Sequence, residues 1–340
     1  MKIYKESVAI GNLIESAENI LIIQADNPDG DSLGSALALE QIVHEMNKNP
    51  ILFCGVTIPS YLRHMKGWDR VENEIPNKFD ISIIVDTSSV SLLGSIEKSG
   101  FINELSKKPC IIIDHHDVEN SINFATIICN KKAVAAGEVI YEISRDLNWK
   151  LNELANERIA SSIMSDSLGL VSEGTTPRSI HIIGELVENG VNLASLENAR
   201  RDLMRKSPEL VKYKGELLQR LEYYSKDRIV VVIIPWDEIT KYSHIYNPSM
   251  LVIDDMRLVE NADIAIAFKV YKDGKITAKI RSNYGVSISG DLAKHFGGGG
   301  HKYASGFKIE SSENKSINQI KAECIEVTTN LLDNKLHNEV

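Results

Sequence analysis

From Asn19 to Gln24 the chain runs NILIIQ, an unbroken apolar stretch that stops at the turn-rich DNPDGDS. After it, positions 33–46 repeat apolar residues at helical spacing. The pattern predicts strand, loop, helix. Three more apolar runs end at turn or polar residues: ILFCG at 51–55, ISIIVD at 81–86 and CIIIDHH at 110–116. Short continuous runs of this kind suit strands buried on both faces. Helical patterns follow over 134–147 and 151–164, and strands alternating with helices predict a doubly wound, mostly parallel α/β sheet. Over 179–224 the pattern is helical and charged, with Arg200, Arg201, Arg205, Lys206, Lys212 and Lys214 among Glu residues, as in exposed connecting helices. After 227, RIVVVIIPW and ADIAIAFKVYKDGKITAKIRS read as strands, the last two joined by a Lys-Asp-Gly turn that favours a hairpin. The expected organisation is an α/β domain over 1–185, a helical connector over 186–226 and a smaller α+β domain over 227–340.

A length of 340 residues agrees with two domains at about 100–200 residues each. Forty-seven acidic against 38 basic residues give a formal charge of −9, so no global positive field exists to hold long duplex DNA. An anionic partner must be captured locally. Cys54, Cys110, Cys129 and Cys324 are far apart and form no CxxC pair, which excludes a zinc ribbon and a disulfide framework and suits a reducing cytoplasm. The first residues, MKIYKESVAIGNLIE, are interrupted by charge, and nowhere do about 18 apolar residues run together, so no membrane partner is expected.

In open parallel sheets ligands bind beyond the carboxyl ends of the strands. Asp29 and Asp31 follow the first strand, Asp86 closes the third, and Asp114, His115 and His116 close the fourth. Three strand ends thus deliver ligand-type side chains to one edge. Carboxylates with imidazoles and no thiolate suit Mn2+ first, with Mg2+, Co2+, Zn2+ or iron(II) also open. So many carboxylates repel one another unless cations lie between them, and two ions are expected. Two such ions can bind a phosphate, acidify a water and stabilise the leaving oxygen.

The segments NPDGDSLGS at 27–35, VDTSS at 85–89, DHH at 114–116 and GGGGHKYASG at 297–306 resemble the DHH phosphoesterase family, over nearly the whole chain. They follow the branch with a DHH-associated C-terminal domain, which includes oligoribonucleases, pAp phosphatases and cyclic-dinucleotide phosphodiesterases. The resemblance implies that Asp31, His115 and Asp166 bind one ion, that Asp29 binds the other, and that Asp86 bridges both. Asp114 would orient the ligand set, and His116 would lie near the phosphate as donor or acid, so that Asp86, His115 and His116 form the catalytic group.

The chain also departs from that pattern. The family's usual His four residues before Asp29 is Ala25 here, leaving Gln24, Asp26 or water to complete the first metal site. Leu170 and Val171 stand where an aromatic and an Arg are usual, and Leu92 where an Arg is. In the second domain, consecutive glycines offer unobstructed backbone N–H groups to an anion. Arg281, Ser282, Gly298, Gly299, Gly300 and His301 are the expected substrate grip, with Arg178 of GTTPRS facing the same cleft. His44, His64, His181, His244, His295 and the scattered Trp68, Trp149 and Trp236 read as surface or packing residues.

The expected protein is a cytoplasmic, metal-dependent phosphoesterase. It would hydrolyse short single-stranded oligonucleotides (nanoRNA), dinucleotides or pAp by metal-activated water, in a cleft between its domains. Homodimers are common among such relatives. The alternatives are a cyclic-dinucleotide phosphodiesterase, or a catalytically weakened nucleotide-binding protein in view of Ala25.

Overall fold

The computed structural model describes residues 4–76, 78–313 and 315–338; the side chains of His301 and of 335–338 lie outside the description. Two compact units divide the chain, Met1–Arg205 and Lys206–Val340.

The first unit opens with helix α1 (Ser7–Ser16), then β1 (Asn19–Gln24), α2 (Gly30–Glu45), β2 (Asn49–Cys54) and β3 (Ile81–Val85). The short helices α3 (Gly94–Ser99) and α4 (Ile102–Leu105) lead to β4 (Cys110–Asp114) and β5 (Ile127–Asn130). Helices α5 (Ala136–Asp146), α6 (Glu153–Asp166), α7 (Pro177–Glu188) and α8 (Leu193–Leu203) complete it. The five strands are all parallel, in the order β2-β1-β3-β4-β5. The apolar runs of β1, β3 and β4 are buried throughout because the sheet has a core on each face. Ile20 and Ile22 join the α1, α2 and α5 side, while Leu21 and Ile23 face the side of α3 and α4. In this order the chain reverses direction between β1 and β3, which is where parallel sheets open a crevice for ligands.

The second unit begins with α9 (Pro208–Gln219), β6 (Glu222–Tyr224), β7 (Ile229–Ile234), α10 (Trp236–Tyr242) and α11 (Pro248–Arg257). It continues with β8 (Ile264–Val270), β9 (Ile276–Ser282), α12 (Ser289–His295), β10 (Gly299–His301), β11 (Ala304–Ile309) and α13 (Ile317–Asn338). The six strands run β10-β11-β9-β8-β7-β6, with β7 and β8 parallel and the other pairs antiparallel. Strand alternation sends Ile266, Phe268, Ala278 and Ile280 to the α12 and α13 side, and Val230, Val232, Ala265 and Ala267 to the side of α9, α10 and α11.

The expected α/β class with a smaller mixed second domain is the architecture found. The helical connector expected over 186–226 does not stand apart. Leu193 and Leu196 of α8 pack into the first unit, whereas Leu210, Tyr213 and Leu217 of α9 are buried in the second unit's core. The amphipathic faces of these helices are covered by the units on either side, so the charged residues mark only their outer faces. β5 went unread because four residues, with Cys129 alone among them fully buried, carry too little pattern.

Candidate metal centre

Asp31, in the first turn of α2, is completely buried and held from several directions. Its Oδ1 accepts from Ser162 Oγ (2.5 Å), Ser35 Oγ (2.9 Å) and the Gly137 N–H (3.3 Å), and its Oδ2 from the Ala136 N–H (2.7 Å). Two of these donors are the free amides at the start of α5, where the helix dipole favours negative charge. Asp86 follows β3 in the left-handed backbone region (φ 60°), its own N–H donating to the Ile113 carbonyl of β4 (2.9 Å). Asp and Asn reach that conformation more readily than other side chains. Asp166 is the last residue of α6.

His115 joins them. Its Nδ1 lies 3.2 Å from the Ala133 carbonyl, which directs the Nε2 lone pair into the cluster. Nε2 stands 3.3 Å from Asp31 Oδ2, 3.3 Å from Asp86 Oδ1 and 3.5 Å from Asp166 Oδ2. Both His115 Nε2 and Asp86 Oδ1 are buried without a hydrogen-bond partner. Acceptor atoms facing acceptor atoms in the interior are costly unless a cation joins them. Spacings near 3.3 Å are also those of donors around one first-row divalent ion, whose bonds are about 2.0–2.2 Å. The residues therefore fit a metal ion, and Asp31, Asp86, His115 and Asp166 are the ones that would hold it.

The field inside the cluster points the same way. Burial, then Asp31, Asp29 and Asp166, push the Asp86 carboxyl well above the usual carboxylate range. Burial and the charges of Asp31 and Asp29 raise Asp166 to about 8. Asp114, fully buried at the end of β4, accepts from Ser88 Oγ (2.5 Å), from the His115 N–H (2.8 Å) and from His116, whose Nδ1 lies 2.8 Å away. Burial alone would raise its carboxyl, but the bonds from His116 and Ser88 outweigh it and hold Asp114 below the ordinary range. The Asp114 hydrogen bond in turn raises His116, which is half-exposed and 3.7 Å from Asp86 Oδ1.

Asp29 caps α2, one oxygen accepting from the Ser32 N–H (3.0 Å). Its charge reaches Asp86 and Asp166, but it belongs to neither of the two groups of three converging donors, Asp31-His115-Asp166 and Asp86-His115-His116. Ala25 offers no ligand, and of its two neighbours Asp26 is committed elsewhere. Asp26 is bound to Ser95 by both oxygens (2.6 Å each), and the Gln24 amide is buried without a partner.

Two expected substrate contacts are engaged elsewhere. Arg178, in the first turn of α7, is paired with Glu142 and Glu185 (3.1 Å to the latter), so its guanidinium is committed to tying α7 to α5. Ser282 is buried on the α12 face of β9, 2.6 Å from Ser289 Oγ, because strand alternation turns it away from the face that carries Arg281. Arg281 stays half-buried with no carboxylate partner among the described residues. In the glycine run, a Cβ on Gly298 or Gly300 would meet β11 at 2.3 and 2.6 Å, and Gly300 sits at φ 134°. Their absence of side chains therefore lets β10 lie against β11. The His301 side chain lies outside the described residues. Sequence reading missed Ser35, Ser162 and the Ala136 and Gly137 amides, whose only signal was small polar residues inside apolar helices.

Residues 19–174 match the model of the DHH family, N-terminal domain, and residues 239–327 match the DHHA1 domain. A "Bifunctional oligoribonuclease and PAP phosphatase NrnA" of Bacillus subtilis is 26% identical over 86% of this chain and 90% of its own. The protein of that name from Thermus thermophilus is 23% identical over 88% of this chain and 87% of its own. Among solved structures, an exopolyphosphatase-related protein from Bacteroides fragilis matches with a TM-score of 0.83 at 18% identity, covering 97% of this chain and all of that one. That last likeness is one of fold. The chain thus carries a DHH family N-terminal domain in its first unit and a DHHA1 domain in its second.

Proposed function

We propose that the protein is a metal-dependent phosphoesterase that hydrolyses short single-stranded oligonucleotides and pAp. The observation that carries the reading is the convergence of His115 Nε2 on Asp31, Asp86 and Asp166, with two buried acceptor atoms that a cation between them would satisfy. The names and coverage of the Bacillus and Thermus relatives support the substrate class. Mn2+ is the proposed ion, since hard carboxylates outnumber imidazole and no thiolate is near. When bound, the ion supplies Lewis-acid polarisation of a phosphoryl oxygen and acidifies water.

The chain's own residues supply the rest. Ser35, Ser162 and the α5 amides hold Asp31 aimed, and the Ala133 carbonyl fixes the His115 ring. Asp114 orients His116 and favours its protonated form, which suits it to give a proton to the leaving oxygen. Asp29 would hold a second ion with Asp86. In the second unit, Arg281 and the glycine run with His301 would grip a phosphate of the substrate. Four buried, unpaired cysteines suit a reducing cytoplasm.

Chromatographic product analysis with pAp and the linear dinucleotide pApA, in manganese, magnesium or chelator, tests this. Chelator-sensitive hydrolysis is expected. Asp86→Asn, which keeps the left-handed turn, should lower the rate roughly 10³-fold or more, the several kcal/mol that a Lewis-acid site supplies. A folded Asp86→Asn protein that retains most of its activity would defeat the assignment.

A further inference from the structure

One face of the β8–β9 hairpin carries a row of cations that neither the metal cluster nor the fold uses. The register places Arg281 opposite Ala265, Lys279 opposite Ala267, and Lys269 opposite Thr277. At the hairpin end Tyr271 bonds back to Lys275, whose Nζ lies 4.2 Å from the centre of the Tyr271 ring. Successive residues on one strand face are about 6.8 Å apart, so one positive charge stands at every step. Thr277 and Gly306 keep the floor low, and Asn247 and Ser249 at the start of α11 wall one side, leaving a cavity of about 350 Å³ lined by Lys269, Lys279 and Tyr271. Gly306 has no room for a side chain, because a Cβ there would meet the Ala278 carbonyl at 2.7 Å.

Cations on a solvated surface usually find carboxylates, and this chain has an excess of them. Lys308, one strand over, pairs with Glu310 at 2.5 Å. None of Lys269, Lys275, Lys279 and Arg281 has a carboxylate within ion-pair distance among the described residues, although Lys269, Lys279 and Arg281 are half-buried; exposed Asp254 of α11 acts on Lys279 and Arg281 from farther off. Partly desolvated like charges repel one another and wait on an anion. The row ends at an aromatic ledge, with half-exposed Trp236 packed 6.0 Å from Tyr271. A regularly spaced positive groove ending in aromatic rings is the chemistry that holds single-stranded nucleic acid, phosphates on the cations and a base on the ring.

We propose that this face is a phosphate track, in which Lys279 and Lys269 hold successive phosphates of a single-stranded oligonucleotide and Tyr271 takes a base. The inference rests on the oligonucleotide reading above and deepens it. A chain of several nucleotides gains affinity from the track, whereas pAp is too short to reach from Arg281 to Lys269.

The test uses the full chain in chelator, so that nothing is hydrolysed. A fluorescently labelled, 5′-phosphorylated pentaadenylate is titrated by anisotropy, and pAp by calorimetry, against wild type, Lys269→Gln/Lys279→Gln and Lys308→Gln. The double variant should bind the pentamer roughly tenfold or more weakly, and its log-log salt slope should fall by about 1.4, some 0.7 for each phosphate that is no longer neutralised. Its pAp affinity should stay within about twofold, and Lys308→Gln should match wild type for both ligands. An unchanged pentamer affinity and slope in the double variant overturns the track. Equal losses for pentamer and pAp, or a wild type that binds the pentamer no better than pAp, overturn it too. Tight, track-dependent pentamer binding without hydrolysis on adding manganese would instead sink the catalytic reading and leave the track standing.

Discussion

At the scale of single residues, the metal cluster is asymmetric. Asp31, Asp86, His115 and Asp166 converge as one donor set, while Asp29 belongs to neither group of converging donors among the described residues and Asp26 is committed to Ser95. Supplying an imidazole at Ala25 should complete the poorer site. Ala25→His is expected to raise bound manganese from about one to about two ions per chain after equilibrium dialysis, read by elemental analysis; an unchanged ratio would show that Ala25 is not the gap. The candidate ligands were legible because strand-end carboxylates and DHH are local features. The residues that aim them were not. Ser162 reaches Asp31 across 131 residues of sequence, and a serine inside a helix looks the same whether or not a carboxylate waits beside it. The ion pairs of Arg178 were hidden for the same reason, its partners Glu142 and Glu185 lying on two different helices. The lysines of the track were hidden by ordinary strand alternation, which puts polar residues on one face in any half-exposed hairpin.

At the scale of elements, the site depends on how closely α2 lies against α6. A Cβ on Gly34 would come within 3.0 Å of the Arg158 carbonyl and of the Ser162 backbone nitrogen, so the contact is one of backbone against backbone. The same two helices carry Asp31 and Asp166. Gly34→Leu should therefore cost about 1–3 kcal/mol by overpacking and weaken manganese binding by moving Asp166. Gly184→Leu on α7, with open space around its Cβ, should do neither. Thermal melts and a manganese titration of both variants decide; a normal metal affinity in the Gly34 variant would mean that α6 is free to shift. The helices were visible as periodicity to within two or three residues at their ends, but their interlocking was not, because hydrophobic patterns give a face and never the distance to its neighbour.

At the scale of the molecule, the pH response is set at one cluster, where burial holds protons on carboxylates that are ordinarily ionised. The folded chain without metal keeps a proton on Asp166 up to about pH 8, whereas the unfolded chain loses it near pH 4. The folded state then binds more protons, so its stability falls as pH rises across that window. Asp86 acts in the same direction, and so does His116, whose proton is held above its ordinary value. Melting temperature in chelator should accordingly drop between about pH 5 and pH 8, and manganese should remove most of the drop by replacing the protons. A chelated protein whose melting temperature is flat over that range would contradict the electrostatics of the cluster.

The left-handed turn at Asp86 governs how such a protein loses its activity. Few side chains reach that backbone conformation cheaply, and asparagine, the neutral twin of aspartate, is one of them. Asp86→Asn therefore abolishes the charge while the backbone hydrogen bond to the Ile113 carbonyl stays intact and the chain still folds. Descent from enzyme to silent nucleotide binder is then a single step along the chain, and the second unit's cations would go on collecting ligands that the first no longer cuts.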